Sequence, residues 1–261
     1  MLKVMFLSLW GTTLLVGAAG LTLGAQQPSQ QPPAVALGAA PAEAPPRPQA
    51  PSQAPPAAVH PSLNVVVLDP AHGGADGGAR GINGVIESEV VLRFAQQLRG
   101  ELERQDFHVV FTRQNNENPT FDERAALANR QRNAVFISLH ISSMGAPGTA
   151  RAYSVPAPDS AAPRRGLLPW DQAQEPYAEL SRRLAELVQV QLAQRFRGSP
   201  EVPAYAPVRQ LRTVAVPAIA IEVSSVSVSE RNRLDQLAAP LADAVARALA
   251  AFRPLYEAGA K

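Results

Sequence analysis

The run Val65-Val66-Val67-Leu68-Asp69-Pro70-Ala71-His72-Gly73-Gly74 begins as an unbroken apolar stretch and ends in a histidine followed by two glycines. Apolar residues without polar alternation, here Leu63 to Leu68 with Asn64 the one polar residue, predict a strand covered on both faces, the usual state of a strand in a parallel sheet. Val135-Phe136-Ile137-Ser138-Leu139-His140 repeats the arrangement: an apolar strand with a histidine at its end. Between the two, Glu87 to Arg104 carries Val90, Val91, Phe94, Leu98 and Leu102 at helical spacing, and His108 to Thr112 reads as another strand.

The alternation continues in both directions from this core. Thr120-Phe121-Asp122-Glu123 has the spacing of a capping box after Pro119 and leads into a helix from Ala125 to Arg132. Thr149 to Val155 predicts a fourth strand. A long amphipathic helix is expected from Gln174 to Phe196, with Leu180, Leu184, Leu187, Val188 and Leu192 on its buried stripe. A strand around Tyr205 to Leu211 and the strand Pro217-Ala218-Ile219-Ala220-Ile221, which ends at Glu222, come next. A last helix is expected over about 229–252, with Ser227 and Glu230 at capping-box spacing and a kink or break at Pro240. Elements alternating in this way predict an α/β fold: one layered domain, about 63–256, with a mostly parallel or mixed central sheet flanked by helices.

The first 62 residues have a different character. Residues 1–25 carry one charge, Lys3, ahead of an apolar run, which predicts a signal peptide or membrane anchor and hence an exported protein, secreted, periplasmic or tethered to the cell envelope. Residues 26–62 hold eleven of the 25 prolines and show no period that would bury a face, so they are expected to form a disordered, extended linker. The chain has no cysteine, which excludes disulfides, thiolate metal sites and cysteine nucleophiles. A net charge of +2, without a basic run interleaved with aromatics, argues against nucleic acid. The expected state is a monomer.

His72, Glu87 and His140 are metal-ligand types that meet at one sheet edge in such a fold, and two imidazoles plus a carboxylate suit a hydrolytic zinc site with an open fourth position. Taken singly, each histidine reads more readily as structural. Jointly they are more telling, because two of only four histidines end apolar strands. Glu89 is the rival to Glu87, but positions i and i+2 do not share a helix face. Glu222 is placed to act as a base. Glycines 73, 74, 77, 78, 81 and 84 allow a close loop, and neither G-x-x-x-x-G-K-[ST] nor G-x-G-x-x-G is present to suggest a nucleotide. Arg113, Arg124 and Asn129 read as braces, and His60 and His108 as bland.

Leu68-Asp69-Pro70-Ala71-His72-Gly73-Gly74, then Asp76, Gly77, Gly78, Ala79 and Glu87, resembles the opening of the zinc-dependent N-acetylmuramoyl-L-alanine amidases. Thr112-Arg113, Arg124, Ala128-Asn129, Ser138-Leu139-His140, Gly148-Thr149 and Pro217 to Glu222 follow in that family's order. The resemblance implies zinc on His72, Glu87 and His140, Glu222 as the catalytic glutamate, and peptidoglycan as the substrate, cut between muramic acid and L-alanine. The sequence departs from the family at Ala71, at Ile141-Ser142-Ser143 and at Val223 to Val228, where glycine or asparagine is usual. These departures keep two other readings open: a wall-binding domain of the same fold with impaired catalysis, and a zinc peptidase acting on free peptides. The Pro-rich loop from about Pro156 to Pro169 is too short for the occluding insert of some relatives, so no occluding helix is expected, and a possible activator protein stays unknown.

Overall fold

A computed structural model describes residues 62–156, 167–227 and 230–259. The expected leader, the linker up to residue 61, His60 and most of the Pro156 to Pro169 loop lie outside the described residues. Among the described residues, no helix is long and apolar enough to cross a membrane.

Among the described residues, six strands form one sheet in the order β2-β1-β3-β6-β4-β5. β1 (Val65–Pro70), β2 (His108–Phe111), β3 (Ala134–Ser142) and β6 (Ala218–Ser224) run parallel, and β4 (Ala150–Ser154) joins β6 antiparallel. β5 is reduced to Ala204–Tyr205, and the expected strand to Leu211 becomes instead the short helix α4, Arg209–Arg212. Pro207 has no amide hydrogen to continue the ladder, which ends the pairing two residues earlier.

Period-2 alternation sorts the strands between two cores. Val66, Leu68, Val135, Ile137, Leu139, Ile141, Ile219, Ile221 and Val223 share one core with α1 (Glu87–Glu103), α3 (Ala178–Arg195) and α6 (Ala238–Gly259). On the other face Val67, Phe136, Ala218 and Ala220 pack with Ala125 and Ala128 of α2 (Phe121–Asn129) and with Leu211 of α4. That second face is apolar only at the beginning of each strand. Further along, it carries Asp69, Ser138, His140, Glu222 and Ser224, so polar groups collect at the carboxyl end of the parallel strands, where open α/β sheets bind ligands.

Two expectations at helix starts had different outcomes. The capping box at Thr120 forms in full: Thr120 Oγ1 accepts from the Glu123 amide at 3.2 Å, and Glu123 accepts from the Thr120 amide at 2.8 Å. The box at Ser227 and Glu230 does not. Glu230 caps α5 (Arg231–Gln236) without a side-chain hydrogen bond, and Ser227 donates instead to the Ser143 carbonyl at 2.7 Å. The expected break falls at Leu237, three residues before Pro240, which lies in the first turn of α6, where a missing amide hydrogen costs nothing.

Candidate metal centre

His72 follows β1 in a left-handed backbone conformation, φ +61, which bends the ring back toward the sheet edge. Glu87 is the first residue of α1 and is only 4% exposed. His140 lies inside β3 rather than at its end: the strand runs on to Ser142 because Ile141 is buried and pairs with Val223. One ligand atom from each of the three residues lies within 4.8 Å of the others. His72 Nε2 is 3.2 Å from Glu87 Oε2, and His140 Nδ1 is 3.2 Å from Glu87 Oε1. Donors about 2.0–2.1 Å from a tetrahedral ion stand roughly 3.4 Å apart, so the spacing suits one divalent cation.

The outer partners of these groups decide their protonation. His72 Nδ1 is 2.8 Å from Asp76 Oδ2, which holds a hydrogen there, while Nε2 faces Glu87 and becomes a metal ligand once its own proton is displaced. On the other ring, Ser138 Oγ donates to Asp69 Oδ2 at 2.8 Å and lies 3.3 Å from His140 Nε2, whose hydrogen it accepts. His140 Nδ1 faces Glu87 Oε1 and is the ring nitrogen turned toward the cluster. Glu87 accepts from the Ala79 amide at 2.8 Å and the Ile141 amide at 3.0 Å, which fixes the carboxylate plane. Burial acts to raise the pKa of Glu87, but hydrogen bonds from His140, His72 and these two amides outweigh it and hold the group well below the usual carboxylate range. The loop leaves no spare room, since a Cβ on Gly78 would stand 2.5 Å from Glu87 Oε2 and 2.6 Å from the His72 ring.

Of the two glutamates, Glu87 is the one that the structure brings to the histidines. Glu89 points away and pairs with Arg231 at 2.8 Å. Arg113 and Arg124 brace the site as expected: Arg113 donates to the carbonyls of Pro70, Ala71 and Ser88, while Arg124 donates to Asp69 at 2.6 Å and to the carbonyl of His72 at 2.9 Å. Asn129 joins α2 to the chain before β6 through Thr213 and Ala215. His108 is exposed at the start of β2. The supporting roles of Asp76, Asp69 and Ser138 were missed in the sequence. Asp76, four residues after His72 in a glycine loop, was the available signal.

Glu222 is not part of the three-residue cluster. Strand register sets it directly across from His140 on the same sheet face, with Arg151 of β4 across from it on the other side. His72 and His140 line a cleft of about 330 Å³ together with Pro119, Phe121 and Gln210. Where the sequence departs from the family pattern, the two altered segments bind one another: Ser225 and Ser227 donate to the Ser143 carbonyl, and the Val226 amide to Ser142.

Fold and site together define an α/β domain with a centre able to hold a divalent metal between two imidazoles and a carboxylate, at the open edge of a parallel sheet. Residues 66–251 match the N-acetylmuramoyl-L-alanine amidase family, and the chain belongs to it. It is 35% identical over 91 residues to the N-acetylmuramoyl-L-alanine amidase AmiC of Neisseria meningitidis, covering 35% of this chain and 22% of that protein. It is 36% identical over 88 residues to AmiA of Escherichia coli, covering 34% of this chain and 30% of that protein. These alignments therefore span less than a third of either relative. The solved structure of AmiC2 of Nostoc punctiforme superimposes with a TM-score of 0.56 at 26% identity, over 73% of this chain and 97% of that one.

Proposed function

We propose that the protein is a zinc-dependent hydrolase of peptidoglycan that cuts the amide between the lactyl group of N-acetylmuramic acid and L-alanine, in wall remodelling or cell separation. The observation that carries this reading is the cluster of His72, Glu87 and His140 beneath an open cleft, in a chain of the amidase family. His72 Nε2, a Glu87 carboxylate oxygen and His140 Nδ1 would hold the ion. Zinc, when bound there, supplies a Lewis acid that polarises the scissile carbonyl and acidifies water.

The protein's own groups do the rest. Asp76 and Ser138 hold protons on the outer nitrogens of the two imidazoles, which leaves the inner nitrogens for the metal once it displaces the proton that His72 shares with Glu87. A carboxylate oxygen of Glu222 takes a proton from the attacking water and hands it to the departing L-alanine nitrogen, a role supported by its register opposite His140. The leader and linker readings belong to the same proposal: residues 1–25 export or anchor the chain, residues 26–62 tether it, and residues 63–256 act as a monomer with no occluding helix over the site.

Purified protein incubated with isolated sacculi tests this. Muramic acid with a free lactyl carboxyl and peptides with L-alanine amino termini are expected, and chelator should abolish their release. Glu222→Gln should retain the metal and lose about 10²–10⁴-fold in turnover. Cleavage at another bond, or full activity of Glu222→Gln, would overturn the assignment.

A further inference from the structure

His140, Glu222 and Arg151 form a row across three adjacent strands on one face of the sheet. On the His140 side lies the cleft with Phe121 and Gln210. On the other side a second cleft, of about 380 Å³, is lined by Glu222, Tyr153 and Arg151, with Ser142, Thr149 and Pro200 also facing it. Arg151 is exposed and is the one cation among the described residues that line this second cleft. Tyr153 lines the cleft between them, and burial, with the Glu222 charge nearby, raises its phenol pKa.

We propose that the second cleft receives the peptide arm of the substrate, with Arg151 pairing with the first free carboxylate beyond the scissile amide. This rests on the amidase reading above and adds a direction to it. A muramoyl-alanine bond joins two arms of different chemistry, a neutral saccharide and a peptide whose second residue carries a carboxylate. The first cleft suits the saccharide. Its Arg124 is buried and committed to Asp69 and three carbonyls, and its exposed Asp76 repels a carboxylate. Its rim carries Phe121, which lies under Arg209, a guanidinium also placed over Trp170 and paired with Asp122 at 3.1 Å.

In the second cleft the exposed Arg151 stands across from Glu222 and offsets its charge, which the buried and fully engaged Arg124 does not do for Asp76 in the first. Two strand spacings put the His140 and Arg151 backbones about 10 Å apart. An extended peptide advances about 3.3–3.6 Å per residue, so the carboxylate of the second residue comes within reach of a flexible guanidinium stem. A planar fork then pairs with it in two parallel hydrogen bonds, which an amide in the same position cannot match.

The test compares muramoyl-L-alanyl-D-glutamate with muramoyl-L-alanyl-D-isoglutamine, in which that carboxylate is amidated. The wild-type protein should favour the acid by about tenfold or more in kcat/KM. Arg151→Gln should bring the ratio close to one, and Arg151→Lys should restore part of it. A residue that only braces Glu222 would depress both substrates alike and leave the ratio in place, which would overturn the proposal. Binding of the dipeptide L-alanyl-D-glutamate to metal-loaded protein, followed by calorimetry, gives a readout independent of turnover. Loss of that binding in Arg151→Gln supports the cleft even if no muramoyl amide is cut, in which case only the amidase reading falls. Equal binding to both proteins, or none to the wild type, removes the inference.

Discussion

Glu87 is the only anion among the three clustered residues, and it contacts both imidazoles. Glu87→Ala should therefore abolish stoichiometric metal retention, whereas Glu89→Ala removes only an exposed pair with Arg231 and should leave metal content unchanged, as elemental analysis would show. The reverse result would reassign the ligand. Protons compete for the same atoms. In the metal-free pocket His72 is pushed up to about 9 from 6.5, first by its hydrogen bond to Glu87, against burial and with help from Asp76. That raised pKa stabilises the metal-free fold fully below pH 6.5, and the contribution is lost as pH rises through about 9. Metal must displace this proton, so apparent affinity should climb by about tenfold per pH unit from neutrality and level off near pH 9. A competition titration that found a flat profile over this range would contradict the linkage. The ligand types were legible jointly, because two of only four histidines close apolar runs with a carboxylate at the helix start between them. The partners that set their tautomers were not, because Ser138 and Asp69 are ordinary strand residues until register brings them together.

At the scale of elements, α2 is held to the sheet by one buried ion pair. Arg124 and Asp69 meet at 2.6 Å with side chains 4% and 1% exposed, and Thr112 and Ser138 complete the carboxylate's hydrogen bonds. Removing one partner of such a pair leaves an uncompensated charge in the interior. Arg124→Ala should cost about 3–5 kcal/mol in denaturant unfolding, and a loss below about 1 kcal/mol would show that water reaches Asp69. The strands and long helices could be read from the sequence because their apolar periods are long and uninterrupted. Strand ends could not. Both β3 and β6 run two residues past the expected catalytic position, since Ile141 and Val223 still face the core and only the opposite face has turned polar. Alternation by face, not the end of an apolar run, is what sets His140 beside Glu222. At Ser227 a contact to Ser143 replaced the local capping pattern, whereas after Tyr205 the strand stopped at Pro207.

Across the whole molecule, the three proposed ligands come from a loop, a helix start and a strand, and no short segment of the unfolded chain can reproduce their arrangement. Metal should then bind the folded chain almost exclusively and stabilise it by mass action. At free zinc near 100 times the dissociation constant this amounts to about 2.7 kcal/mol, which for a domain of this size shifts the melting midpoint by roughly 5–10 °C. Calorimetry of the full chain before and after chelation should show that drop, with recovery when zinc is returned. The comparison also bears on how the site is built. Ala79, Ile141, Asp76 and Ser138 hold the ligands through contacts that need no ion. The chelated protein should therefore keep its secondary structure and a single cooperative transition, shifted down but not broadened. A midpoint unmoved by chelator would mean that the cluster holds no metal of consequence, and collapse of the fold would mean that the ion, not the surrounding hydrogen bonds, organises the sheet edge.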